Sequence, residues 1–209
     1  MAFTETAATT EVRSLLNEDV AGYWSDTQLL SWIRQGVLDW SEKSLLYTLE
    51  DTITLASGTH QYTTSTNSYI DSALRTLHAE YDGKAMQRVS YEQIRGHNAK
   101  TLGSVTVPSL FYDHYNGTSM QFYIGPTPGA SEDTTTIKVV FACRTDDITD
   151  IPYEYQPVIF SFAAHKAKIR ERQYQEALIY YQQYVNSISF ARQDSLVRGI
   201  QSIDSFRIK

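Results

Sequence analysis

The hydrophobic period of this chain changes twice, and that constrains its fold more than any single motif. It is helical up to about residue 50, falls to two from about residue 52, and is helical again from about residue 154. A chain patterned in this order predicts an α+β fold, a helical bundle body formed by both chain ends with an inserted antiparallel β lobe. The expected boundaries are 1–50 and 151–193 for the helical body, 51–150 for the lobe and 194–209 for an extended C-terminal tail.

The first helix is expected near Thr6 to Asn17, with Val12, Leu15 and Leu16 on one side. A second opens at Ser25, where Ser25 and Gln28 make an S-x-x-Q capping box and Asp26 suits the positive end of the helix dipole. Leu30, Ile33, Val37 and Trp40 follow on one face, widened by Leu29 and Trp32. Trp24, Trp32 and Trp40 recur every eight residues. Helical spacing alone accounts for that recurrence, so core or helix–helix packing is favoured over a stacking ladder.

Strands are expected at 52–55 and, after a turn at Gly58, returning at 61–64. A second pair surrounds Asp82-Gly83, a strong hairpin dipeptide. Ser90 and Gln93 form a weaker capping box for a short helix ending near Gly96, followed by a polar loop over 97–106. Further strands are expected at Ser109–Tyr115, Met120–Ile124 and Thr135–Cys143, with Thr127–Thr134 as a long hairpin loop. Helices then run from about Glu154 to Arg172, with Pro157 tolerated in the first turn, and from about Gln173 to Gln193. In the latter, Tyr174, Leu178, Tyr181, Val185 and Ile188 step as a heptad seam, which predicts a buried face.

Charge and cysteine content narrow the function classes. Residues 1–152 hold 10 basic and 19 acidic side chains, whereas residues 153–209 hold 8 and 5. An acidic bulk repels phosphates at long range and argues against a dedicated DNA-binding protein. The single cysteine, Cys143, cannot form an internal disulfide, which suits a reducing cytoplasm or a particle assembled there. The N-terminal residues have neither the basic nor the apolar region of a signal peptide, and no window is apolar enough for a membrane span. Asn116-Gly117-Thr118 matches a glycosylation sequon, but without a secretory signal it reads as a turn. Fifteen tyrosines supply large contact area with little side-chain entropy, which suits protein interfaces or a tyrosine-rich sheet.

No catalytic or metal-binding pattern emerges. His60, His78, His97, His114 and His165 include no H-x-x-x-H pair, and the chain has no nucleophile elbow, Walker loop or dinucleotide fingerprint. Cys143 has no visible base beside it, and a catalytic thiol needs one. Asp146, Asp147 and Asp150 lack the alternating spacing of a calcium loop and read as a solvated turn before a helix. Asp113 and His114 are adjacent on a strand and point to opposite faces. Lys166, Lys168, Arg170 and Arg172 form the one basic cluster, divided over two helix faces. It is either a solvated flank or a contact for an acidic partner or a nucleic-acid backbone. No cofactor is expected.

Several stretches, in order, carry a family resemblance. They are Leu15-Leu16-Asn17 followed by Trp24-Ser25-Asp26-x-x-Leu29-Leu30-x-Trp32-Ile33, and Arg75 through Ser90 with its Asp82-Gly83 turn. Tyr123-Ile124-Gly125-Pro126-x-Pro128, Pro152-x-Glu154-Tyr155 and Tyr174-x-x-Ala177 follow. Together they resemble the head-to-tail adaptor (connector) proteins of tailed bacteriophages, including the tail tubular A type of short-tailed phages. The resemblance spans most of residues 12–190 and rests on order and spacing, since each motif alone consists of common packing and turn residues.

It implies a non-enzymatic virion protein assembled in the host cytoplasm. Identical subunits, usually twelve in the family, would form a ring seated on the portal protein, with tail or nozzle proteins as further partners. The helical body would form the ring, and the β lobe would face outward or towards the tail. DNA would pass through the lumen without specific binding, and no membrane is involved. The tail 194–209 would dock on a neighbour or the portal through Leu196, Val197, Arg198, Ile200, Ile203, Phe206, Arg207, Ile208 and Lys209. Two other readings stay open: a monomeric module whose β lobe binds carbohydrate or protein through Tyr112, Tyr115 and Tyr123, and an enzyme with a site assembled from His114 and the Asp146–Asp150 loop.

Overall fold

A computed structural model describes residues 3–18, 22–63, 72–100, 106–115 and 120–205. In chain order the elements are α1 (Glu5–Leu16), α2 (Asp26–Ser44), β1 (Thr48–Thr54), β2 (Gln61–Thr63), β3 (Ala73–Tyr81), β4 (Lys84–Ala85) and β5 (Gln87–Arg88). They continue with α3 (Tyr91–Lys100), β6 (Leu110–Tyr115), β7 (Met120–Gly125), β8 (Thr136–Cys143), α4 (Gln156–Arg170) and α5 (Tyr174–Ser205). The protein is therefore mixed α+β. It forms two compact units, residues 1–47 with 144–209 and residues 48–143.

The first unit is helical. Thr4 caps α1 by accepting the Ala7 amide, and Ser25 with Gln28 closes the expected capping box on α2. The apolar faces meet in one core containing Val12, Leu29, Trp32, Ile33, Val37, Trp40, Ile159, Phe160, Phe162 and Tyr184. All three tryptophans are buried, so their eight-residue recurrence is core packing. Gly36 lets α2 and α4 approach closely: a Cβ there would lie 2.9 Å from Phe162 Cδ1 and 3.2 Å from Ile159 Cγ2.

Two features of α5 depart from the sequence reading. First, the expected seam is exposed: Tyr174, Leu178, Tyr181 and Val185 keep 65%, 55%, 40% and 40% of their surface, and Ile188 is only partly buried. The buried register is Ala177, Tyr184 and Ala191. Alanines on both helices, Ala163, Ala164 and Ala167 on α4 with Ala177 and Ala191 on α5, are buried, so small residues form the contact face. Hydrophobic periodicity instead favours the larger side chains of the neighbouring row. Second, α5 is helical to Ser205, where the sequence reading has an extended tail from 194. Gly199 is tolerated inside it at the usual modest cost. Of the expected docking residues, Leu196, Val197, Arg198, Ile200 and Ile203 fall on this continuation; Phe206, Arg207, Ile208 and Lys209 lie outside the described residues.

The second unit contains two four-stranded sheets, in the orders β1-β8-β3-β4 and β2-β7-β6-β5. Pairing is antiparallel except between β5 and β6. Asp82 and Gly83, with φ of 49° and 71°, make the expected tight turn between β3 and β4. The expected hairpin of 52–55 with 61–64 does not form. β1 pairs with β8 and β2 with β7, so the chain changes sheets at a corner where the Tyr62 hydroxyl accepts the Ala56 amide at 3.1 Å and donates to the Thr59 carbonyl at 3.2 Å. The loop 127–134 likewise joins strands of different sheets and is not a hairpin loop. Alternation sets which face a strand buries, but not which distant strand it joins. α3 also runs past Gly96 to Lys100, with the Asn98 amide donating to the Ile124 carbonyl at 3.2 Å.

Candidate interaction surfaces

The polar side chains of the helical unit mostly serve the fold. Arg13 is buried and reaches Glu18 at 2.8 Å, Asp26 at 2.5 Å and the Trp24 carbonyl at 2.8 Å, which ties the end of α1 to the start of α2. Gln156 is fully buried. Its amide nitrogen donates to the carbonyls of Ile148 (3.0 Å) and Ile151 (2.7 Å), and its oxygen accepts the Phe3 amide at 2.9 Å. The Tyr184 hydroxyl donates to Asp39 at 2.7 Å, with the Gly36 carbonyl also in reach at 3.2 Å. Burial, reinforced by the Asp39 carboxylate, holds that hydroxyl protonated well above the ordinary tyrosine range. Tyr184 reaches Gly36 and Asp39 across more than 140 residues of chain and Gln156 reaches Phe3 across 153, so no local pattern marks those contacts.

The basic cluster is divided among different tasks. Lys168 is buried between Glu171 (3.3 Å), Glu176 (3.2 Å) and Gln173 (2.7 Å), stapling the turn between α4 and α5. Burial alone would lower its pKa, but the two glutamates outweigh that and raise it. Lys166 sits 5.0 Å over the Phe162 ring and Arg170 sits 5.1 Å over Trp32. Arg172 occupies the left-handed turn with φ 62°. These four cations do not converge on one point.

Candidates for chemistry are also dispersed. Cys143 is fully buried, and burial pushes its thiol up, away from the reactive thiolate. Asp147 accepts the amide and hydroxyl of Thr149 at 2.9 and 2.8 Å, which lowers its pKa, and Asp150 accepts the Thr145 hydroxyl at 2.6 Å. Asp147 thus caps the 3-10 turn Ile148–Asp150 that precedes α4. Asp113 is buried and accepts the Thr76 amide at 2.8 Å while pairing with Arg88, which joins β3 of one sheet to β5 and β6 of the other. His114 is exposed and stacks on Tyr112. Among the described residues no group of three or more His, Cys, Asp or Glu side chains is arranged to hold a metal ion, and no helix is long and apolar enough to cross a membrane.

Three surface features stand out. On the lobe, cross-strand partners Tyr112 and Tyr123 lie 6.0 Å apart, and Tyr91 of α3 joins them at 5.8 and 5.3 Å. Burial, then the neighbouring Tyr91 and Tyr112, raise the Tyr123 pKa. Tyr115, named with them in the sequence reading, is 39% exposed near the end of β6, and Tyr91 takes the third place in the cluster. On the helical unit, the outward row of α5 is apolar. An open groove of about 360 Å³ also runs along α2, lined by Leu30, Leu38, Ser31, Arg34, Gln35 and Asp146, with Thr27 at one end.

One of these features lies on the second unit and two on the helical unit. A family model described as SU10 adaptor protein matches residues 4–201, which takes in both units. No curated protein matches the chain.

Proposed function

The chain belongs to the SU10 adaptor protein family, and on that premise we propose that it forms an adaptor ring joining the capsid portal to the tail of a phage particle. It is a phage adaptor-type structural protein; the ring, the portal and the tail or nozzle protein as neighbours, and the channel are our reading. The observation that carries it is the extent of the match, which covers the helical unit and the lobe alike. The tail tubular A-like resemblance points to the same role. In this reading identical subunits, on the order of twelve, surround a lumen through which DNA passes. A net charge of −6 suits that lumen, since a basic wall would hold phosphates. No catalytic step is assigned.

Residues 194–205 and the four that follow are our candidate for docking on the portal or a neighbour. As a 32-residue helix α5 spans about 48 Å, long enough for its last turns to reach a partner while earlier turns complete the core. Truncation after Gln193 tests this. The truncated chain is expected to keep the unfolding midpoint of the full chain while losing co-purification with the portal protein. A truncated chain that unfolds, or that still binds the portal, removes the assignment. Imaging the purified chain with and without portal protein tests the ring itself.

A second reading is favoured by the tyrosine cluster of the lobe. Tyr91, Tyr112 and Tyr123 form an aromatic patch of the kind that anchors protein or carbohydrate contacts. A monomeric chain that saturably binds a glycan or a tail protein through these rings, without ring assembly, would favour the binding-module reading over the adaptor.

A further inference from the structure

We propose that the open face of the sheet β2-β7-β6-β5 binds a neutral glycan on the corner formed by Tyr91, Tyr112 and Tyr123. The inference narrows the second reading above to one class of ligand and goes beyond the adaptor reading, because it holds whether or not the chain assembles. Tyr112 and Tyr123 are cross-strand partners, and the alternation of β6, β7 and β2 puts His114, Gln121 and Gln61 on the same face. Phe111, Phe122 and Ile124 are buried on the opposite face. The rings of Tyr112 and Tyr123, tilted by 39° at 6.0 Å, make a floor, which His114 extends at 9° and 6.4 Å from Tyr112. Tyr91 of α3 is 44% exposed and stands at 52° and 74° to the two floor tyrosines, as a wall. A corner of this kind offers aromatic surface to the flat C–H face of a sugar ring and to its edge at once.

The polar groups of the face select the ligand. The Tyr123 hydroxyl donates to Gln121 Oε1 at 2.7 Å, which fixes the amide and leaves its Nε2 hydrogens to donate outward. The hydroxyls of Tyr91 and Tyr112 have no partner among the described residues. Sugar hydroxyls both donate and accept, so amide, phenol and imidazole groups beside aromatic rings suit them. Residues 48–143 hold nine acidic and six basic side chains, yet none of the five face positions is Asp, Glu, Lys or Arg. The one acid of β6, Asp113, is buried on the other side with Arg88. A nucleic-acid strand stacked on tyrosines needs cations along its phosphates, and a docking helix needs a hydrophobic groove. These positions supply neither, and they carry no charge to select an acidic sugar.

Native electrophoresis of the full chain through gels containing amylopectin, mannan, galactan or a β-glucan tests this. Retarded mobility relative to a plain gel is expected with at least one of the four polymers. Tyr91→Ala and Gln121→Leu are each expected to weaken that retardation by about tenfold or more, with an unchanged melting temperature. Retardation by none of the polymers overturns the proposal. Retardation that both variants retain puts the site elsewhere and overturns it too. A proline-rich peptide or poly-dT that perturbs tyrosine absorbance in the parent chain and not in Tyr91→Ala, with no glycan retardation, overturns it in favour of that ligand. All of these outcomes leave the adaptor reading to its own test, which is portal binding.

Discussion

Gly36 has no side chain, and Phe162 and Ile159 occupy the space that one would need. Gly36→Ala should therefore cost about 1–3 kcal/mol through overpacking, despite the gain in helix propensity. A urea midpoint equal to that of the parent chain would show that α2 and α4 can move apart freely. Glu132 gives a pH-dependent counterpart in the lobe. It accepts hydrogen bonds from Ser131 at 2.6 Å and the Gly129 amide at 2.9 Å, and the hydroxyls of Ser131 and Thr106 are the main causes of its lowered pKa. A carboxylate whose folded pKa is depressed adds stability above its unfolded pKa, and that contribution is lost as pH falls through the folded value. Glu132→Gln should flatten the acid side of the stability–pH curve and leave its slope above the ordinary glutamate range unchanged. Unfolding midpoints of both proteins across acid pH check this. Neither residue was marked in the sequence reading, because a close helix crossing and a loop closed by one carboxylate depend on neighbours remote in sequence or on the loop's own geometry.

Among elements, α5 best separates what is legible from what is not. Helical period reveals the helix itself, and the same is true of α1, α2 and α4, with the start of α2 marked by the Ser25 and Gln28 capping box and that of α4 by Pro157. Its buried face is decided by fit against α4, where alanines pack and larger side chains do not. Leu178→Ala, which a buried seam would make costly, is expected to change stability by less than about 0.5 kcal/mol. Ala177→Leu is expected to cost about 1–3 kcal/mol by forcing a larger group into a filled contact. Chemical unfolding of the two variants decides the register, and the reverse order of effects would restore the seam 174–188. Strands divide similarly. Their positions and the Asp82-Gly83 turn follow from alternation and turn chemistry, whereas the partners of β1 and β2 come from opposite ends of the lobe and leave no local trace. Helical spacing singles out the row Tyr174, Leu178, Tyr181 and Val185 and predicts its burial, whereas the folded chain leaves it exposed.

On the scale of the whole molecule, each unit closes a core of its own, so damage to one should have a local signature. Asp113 lies in the lobe, where it receives both the Thr76 amide and Arg88. Asp113→Asn weakens that charge-assisted junction and should cost about 1–3 kcal/mol. Hydrogen exchange should accelerate in β3, β5 and β6 while α2 amides keep the rates of the parent chain. Equal acceleration in α2 would mean that the two units open together.

The pairing of Thr48 with Ala142 has a consequence in time as well as in space. The two ends of the lobe are ladder neighbours, so every strand of that unit has been synthesised once Cys143 leaves the ribosome. The helical unit is in the opposite position. α1 and α2 are made first, yet Trp32, Trp40 and Val37 share a core with Phe160, Phe162 and Tyr184, made more than a hundred residues later. The lobe can fold during translation while the first helices wait for α4 and α5.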